Sequence, residues 1–172
     1  MGGKLQPKST EMKLLMGEMR NSDGLEFNNR VVEFFKKRPR TIVKARVKSL
    51  GKLSLANLGD IDVLAADMGR RILYVVECKD LSMARTPYEM ASEIRELVVG
   101  SAREESAVKK HEARVDFVRN HLSAAIEFLG GNSGLSWKIS PILVVDEPLL
   151  TARVERCPLP VVAIDLLEQF LK

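Results

Sequence analysis

The chain has 172 residues, 45% of them hydrophobic and 29% charged, enough for one domain with a sizeable core and ordinary for a globular protein. Lys and Arg exceed Asp and Glu by 27 − 23 = 4, a mild excess that permits nucleic-acid binding without demanding it. No apolar run is long enough for a membrane span, and the N-terminus has no apolar leader. The two cysteines, Cys78 and Cys157, do not make a disulfide scaffold and are expected as buried, reduced thiols of an intracellular, cytoplasmic protein.

Residues 1–23 read as an N-terminal extension, with a short helix over Ser9–Arg20 presenting Met12, Leu15, Met16 and Met19 on one face. Asn21-Ser22-Asp23-Gly24 is a stop and restart signal, so the main domain is expected to span 24–172. A second helix is expected from Leu25 to Lys37, ended by Pro39. Phe27, Val31, Phe34 and Phe35 share its apolar face, with Asn28 and Val32 at the margin, and Glu26, Arg30, Glu33 and Lys37 form the opposite stripe. Thr41–Leu50 reads as a strand in which Val43, Ala45 and Val47 alternate with Lys44, Arg46 and Lys48. Its basic face suits either a surface that tracks nucleic-acid phosphates or an edge strand protected from aggregation by its lysines.

Gly59–Lys79 is the stretch around which the chain is organised. Ile61–Ala66 and Arg71–Lys79 read as two strands joined at Asp67-Met68-Gly69-Arg70, with Gly69 supplying a positive φ. Asp60, Asp62, Glu77 and Lys79 are charges where a half-buried hairpin does not normally carry them. Alternation puts Glu77 and Lys79 on one face with Cys78 on the other, and Asp60 and Asp62 on a shared face. With the turn centred on Met68-Gly69, facing residues have numbers that sum to about 137 or 139. Either register sets Asp62 opposite or diagonal to Glu77, roughly 4.5–8 Å away. Two carboxylates so placed repel, and a hard divalent cation such as Mg²⁺, which prefers carboxylate and water oxygens, removes the conflict.

Gly59-Asp60-Ile61-Asp62-Val63-Leu64 followed by Val75-Val76-Glu77-Cys78-Lys79 resembles the PD-(D/E)xK nuclease superfamily, the restriction-endonuclease-like fold. The form is similar to its Holliday-junction-resolvase-like, Mrr-like and nuclease-related-domain branches. The resemblance implies an α/β fold with an αβββαβ core, a mixed central sheet flanked by helices, and Mg²⁺-dependent endonucleolytic hydrolysis of DNA, with Mn²⁺ as a substitute metal. Asp62 and Glu77 would hold the metal, with the Cys78 carbonyl a further candidate ligand, and Lys79 would assist attack by water. Many relatives place a Glu from the first helix at the site. Here the matching position is Asn28, with Glu26 the competing candidate, although Glu26 also suits a capping box with Asp23 and a surface pair with Arg30. Small relatives often act as dimers, so a homodimer is compatible. The incomplete acidic set leaves a second reading, a degenerate nuclease-fold domain that binds nucleic acid or a protein partner.

Beyond Lys79, Thr86-Pro87-Tyr88-Glu89 is a helix start with a capping box, and the helix is expected to reach Val99 with Met90, Ile94 and Leu97 inward. Its free amides and Arg85 could hold a phosphate. The Gln-x-x-x-Tyr pattern of RecB-like relatives is absent. Ala102–Leu129 reads as one long helix with a seam of Val108, His111, Val115, Val118, Leu122, Ala125 and Leu129, His111 being a core or interface histidine. Lys109, Lys110, Arg114 and Arg119 are assigned to its outer face, and His121 has no partner at metal-ligand spacing. Ile139–Asp146, apolar on both faces, reads as a parallel strand with Pro141 near its start. Val161–Ile164 is a last short strand, and Asp165 and Glu168 suggest a capping box opening a terminal helix.

Overall fold

The first element is a single helix, α1 (Thr10–Lys36), in place of the two expected on either side of Asn21–Gly24. In this computed structural model residues 9–81, 84, 86–102, 104–149 and 157–172 are described; the side chains of Met12, Leu15, Met16 and Met19, and all of Arg85, lie outside them. One helical glycine costs only about 1 kcal/mol relative to alanine. Gly24 is therefore overridden by the buried Phe27, Val31, Val32 and Phe35, which fasten the following turns to the sheet. The boundary expected at 23/24 falls inside this helix.

Strand β1 (Thr41–Val47) is shorter than Thr41–Leu50, and within it Arg46 takes a left-handed conformation (φ 48°). Ser49–Leu50 (β2) turns back through Gly51 (φ 63°) to pair with Leu53–Ser54 (β3) in a separate small hairpin. The chain then enters β4 (Ile61–Asp67) and β5 (Ile72–Lys79). Their pairs run from Val63↔Val76 to Asp67↔Ile72, so the sum of 139 is the register adopted. The turn differs from expectation. Asp67 Oδ1 accepts from the Gly69 and Arg70 amides at 2.9 and 2.8 Å, and the positive φ falls on Arg71 (55°) rather than on Gly69.

α2 (Pro87–Ile94) carries the expected Thr86/Glu89 capping box and widens into a π-helical turn over Arg95–Val99. The long helix expected over 102–129 is two helices. Gly100 (φ 79°) and the Ser101–Glu104 turn delay the start to α3 (Ala107–Asn120), capped by Ser106. His121 (φ −123°, ψ 35°), its ring packed on Phe117, separates α3 from α4 (Leu122–Phe128). β6 (Lys138–Val145) then joins β5 in parallel and β7 (Val161–Ala163) joins β6 in parallel. Leu143 donates its amide to the Pro160 carbonyl on the β7 side. Pro141, two residues earlier on the same side, lies before β7 begins, so its missing N–H removes no ladder bond. α5 (Leu167–Phe170) follows a 3₁₀ turn. The Asp165/Glu168 capping box does not form there; Glu168 instead pairs with Arg38 at 2.8 Å.

The sheet order is β1-β4-β5-β6-β7, antiparallel from β1 to β5 and parallel from β5 to β7. One face carries Val63, Ala65, Tyr74, Val76, Ile142 and Val144 against α1 and α5. The other carries Leu64, Ala66, Leu73 and Val75 against α3 and α4. This is the expected α/β class, a mixed sheet flanked by helices, and the main-sheet strands follow the αβββαβ order once the separate β2–β3 hairpin is set aside. Among the described residues no helix is long and apolar enough to cross a membrane.

Candidate functional site

On β5 the alternation that turns Leu73 and Val75 toward α3 turns Glu77 the same way. Glu77 is 5% exposed, a burial that an ionised carboxylate tolerates only with partners. It has three basic neighbours. Lys79 Nζ lies 3.5 Å from its Oε1, Arg114 Nη1 lies 2.5 Å from its Oε2, and His111 Nδ1 lies 3.9 Å from the same oxygen. Asp62 is held from the neighbouring strand, its Oδ2 accepting the Cys78 amide at 2.8 Å. On the other side of β4 the ladder is interrupted at Asp62. Pairing passes from Ala45↔Val63 to Val47↔Ile61, and the residue between on β1 is the left-handed Arg46.

Burial, reinforced by the Asp62 charge, pushes Glu77 up to about 7 against the pull of Arg114 and Lys79. Burial also raises Asp62, against the Cys78 amide and the same two cations. His111 is wholly buried and goes the other way, down to about 4, through desolvation and the Arg114 charge. It is therefore neutral near pH 7; the Val75 backbone opposes the downward shift, but among the described residues neither ring nitrogen makes a hydrogen bond of good geometry. The Cys78 thiol is driven well up by burial and by both carboxylates, which makes it a poor nucleophile. Cys78 and Cys157 are both free and half-buried rather than fully enclosed.

The structure thus brings Asp62, Glu77 and Lys79 together. It adds two residues from α3, of which the sequence reading had placed one, Arg114, elsewhere. Arg114, assigned to the outer face, is 9% exposed and joined to Glu77; His111, on the seam as expected, backs the same carboxylate. The signal for Arg114 was its phase: it lies three residues after His111 and four before Val118, within the buried stripe. Asn28 is buried, at 7% exposure, among Phe27, Val31 and Val32 on the α1 side of the sheet, the side that carries Tyr74, Val76 and Cys78. Among the described residues its Oδ1 has no hydrogen-bond partner, and no hydrogen bond links it to Asp62, Glu77 or Lys79. Glu26 is exposed, and the expected Arg30 pair is made instead with Asp146 at 2.8 Å.

The basic stripe is divided. Lys44 on the edge strand lies over the Phe128 ring, Arg46 is exposed at the interruption, and Lys48, beyond the strand, approaches Asp60 at 4.0 Å. Asp60 is thereby drawn to Lys48 rather than to Glu77. On the solvent side Lys79 borders an open cleft of about 300 Å³, also lined by Arg95, Glu96, Glu104 and Lys110. Among the described residues no three His, Cys, Asp or Glu side chains gather as metal ligands. The donor set nevertheless suits a hard cation. Two carboxylates face one another, Asp62 Oδ1 accepts no hydrogen bond among the described residues, and Mg²⁺ characteristically takes one or two carboxylates and completes its shell with water and phosphate oxygens.

The family model described as anti-phage protein Upx-like matches residues 8–142, a span that takes in Asp62, Glu77, Lys79, His111 and Arg114. No curated protein and no solved structure matches the chain.

Proposed function

We propose, for a chain that belongs to the Upx-like family of anti-phage proteins, that its strand-borne charged cluster is the active site of a Mg²⁺-dependent nuclease acting on DNA, with the nucleic acid of an infecting phage as its substrate. The observation that carries this reading is the meeting of Asp62, Glu77 and Lys79 across β4 and β5, with Lys79 Nζ 3.5 Å from Glu77 and open to the cleft. It supports the PD-(D/E)xK resemblance of the same residues. Asp62 and Glu77 would hold the metal, which when bound polarises a scissile phosphate and acidifies water.

The protein's own contribution follows from its geometry. The Cys78 amide fixes Asp62 by one oxygen and leaves the other to bind. Lys79 is a compact cation on a flexible stem, tethered at Glu77. From there it can orient an attacking water or neutralise the charge that develops on the phosphate. Arg95 and Lys110 in the cleft give the flanking phosphates a cationic wall, partly offset by Glu96 and by Glu104, which pairs with Lys110 at 2.9 Å.

The test is cleavage of duplex, single-stranded and branched DNA and of structured RNA with Mg²⁺ or Mn²⁺. Asp62→Ala and Lys79→Ala should each lose about 10²-fold or more in rate while melting like the parent. Wild-type cleavage by either folded variant would sink the assignment.

One observation favours a second reading. Two cations, Lys79 and Arg114, already attend Glu77, and Asn28 supplies no further carboxylate. A domain that binds nucleic acid without cutting it would retain DNA in a filter or anisotropy assay and show no cleavage with any divalent metal.

A further inference from the structure

We infer that Arg114 is a positioning residue of this site, a fixed guanidinium that sets Glu77 against Asp62; the inference rests on the metal-dependent reading above. Three contacts carry it. Arg114 Nη1 meets Glu77 Oε2 at 2.5 Å, and Nε donates to the Leu58 carbonyl at 2.8 Å. The third is steric: a Cβ on Gly59 would stand 2.9 Å from Nη2, and Gly59 is held at φ 75°. Leu58 and Gly59 lead directly into β4, which carries Asp62, while Glu77 lies on β5. One planar group on α3 therefore references both strands at the point where the two carboxylates meet.

A surface ion pair does not look like this. Arg114 is 9% exposed and Glu77 5%, so neither side chain is free to wander. Two donors of the fork are committed in different directions, which a lysine, with a single point charge, cannot reproduce. By holding Oε2, Arg114 leaves Oε1 turned to Lys79, the side that borders the cleft. His111, one turn earlier on α3 and wholly buried, closes off the space behind. Partners that orient a metal-binding carboxylate in this way commonly contribute 10–100-fold in metal affinity, although they never touch the metal.

The alternative is that Arg114 acts as a competing counter-ion, in which case its removal would tighten cation binding. Mn²⁺ titration monitored by electron paramagnetic resonance, with no nucleic acid present, separates the two. Asp62→Ala must first abolish binding seen in the parent. If the parent binds no Mn²⁺, or Asp62→Ala binds as well as the parent, the metal-site reading and this inference fall together. If that control holds, Arg114→Gln should weaken Mn²⁺ binding by about 10–100-fold. Affinity that is unchanged or tighter overturns the positioning role and leaves the metal site standing. Arg114→Lys guards against loss of fold. It keeps the charge but not the fork, and should still bind Mn²⁺ several-fold more weakly than the parent while remaining folded at the assay temperature by circular dichroism, whereas parental affinity in that variant counts against the inference.

Discussion

Replacing Glu77 by Gln should turn a nearly flat pH–stability profile into a rising one. In the folded protein Glu77 is raised from 4.5 to about 7, so the native state holds a proton that the unfolded chain has released. Stability from this group is complete at low pH and is lost as pH climbs from 4.5 through 7. At 1.36 kcal/mol per unit the window is worth about 3 kcal/mol. His111 is lowered from 6.5 to about 4, so the unfolded chain takes up a proton that the native state refuses. Its contribution is complete above 6.5 and is lost as pH falls toward 4, again about 3 kcal/mol. The two windows overlap between 4.5 and 6.5 with opposite signs and largely cancel. Asp62, raised by burial, adds to the Glu77 slope and tilts the parent slightly downward as pH rises. Urea unfolding in EDTA at intervals from pH 4.5 to 7.5 reads the slopes directly. Glu77→Gln should gain stability from pH 4.5 to 6.5, and His111→Gln should lose it from pH 4.5 to 7. The slope, unlike the midpoint, is insensitive to the fixed cost of leaving Arg114 without its carboxylate. Profiles parallel to the parent in both variants would refute the reasoning, because neither group would then carry its shift.

Two further changes test the frame around the site. Phe35 is fully buried and packs against Tyr74 and Phe34 with ring centroids 5.5 and 5.6 Å apart, so Phe35→Ala should cost about 3–5 kcal/mol in urea unfolding. Thr86→Ala removes the side-chain half of a capping box at an exposed helix start, and should cost about 1 kcal/mol while leaving Mn²⁺ affinity as in the parent.

What was legible in the sequence follows from range. The β4–β5 hairpin is a local object: a turn of a few residues and a period of two fix which side chains face each other, so Asp62 and Glu77 could be set across the ladder from the sequence alone. The same holds for the Thr86 cap and for the apolar face of α1. The errors arose where a weak local signal met a stronger distant one. Gly24 is a poor helix residue, yet the packing of Phe27 to Phe35 carries α1 through it. The break at Arg46 is invisible to any pattern of apolar and basic residues, because alternation through Lys44, Arg46 and Lys48 predicts a straight strand.

Arg114 shows why the helical half of the site was harder to read. On a helix wheel it adjoins the buried seam, but three nearby basic residues argue for a wet face, and these three, Lys109, Lys110 and Arg119, do remain partly or fully exposed. Its charge partner is Glu77, 37 residues earlier, and that pairing is known once β5 and α3 are known to face each other. The converse holds for Asn28, whose place on α1 matched a family pattern while its side chain is buried without a hydrogen bond to Asp62, Glu77 or Lys79. A buried charge is legible only with its partner. The acidic group sought on α1 to complete the cluster is therefore replaced, in the structure, by a basic one on α3, and whether that cation orients Glu77 or competes for it is the difference that Mn²⁺ affinity in Arg114→Gln measures.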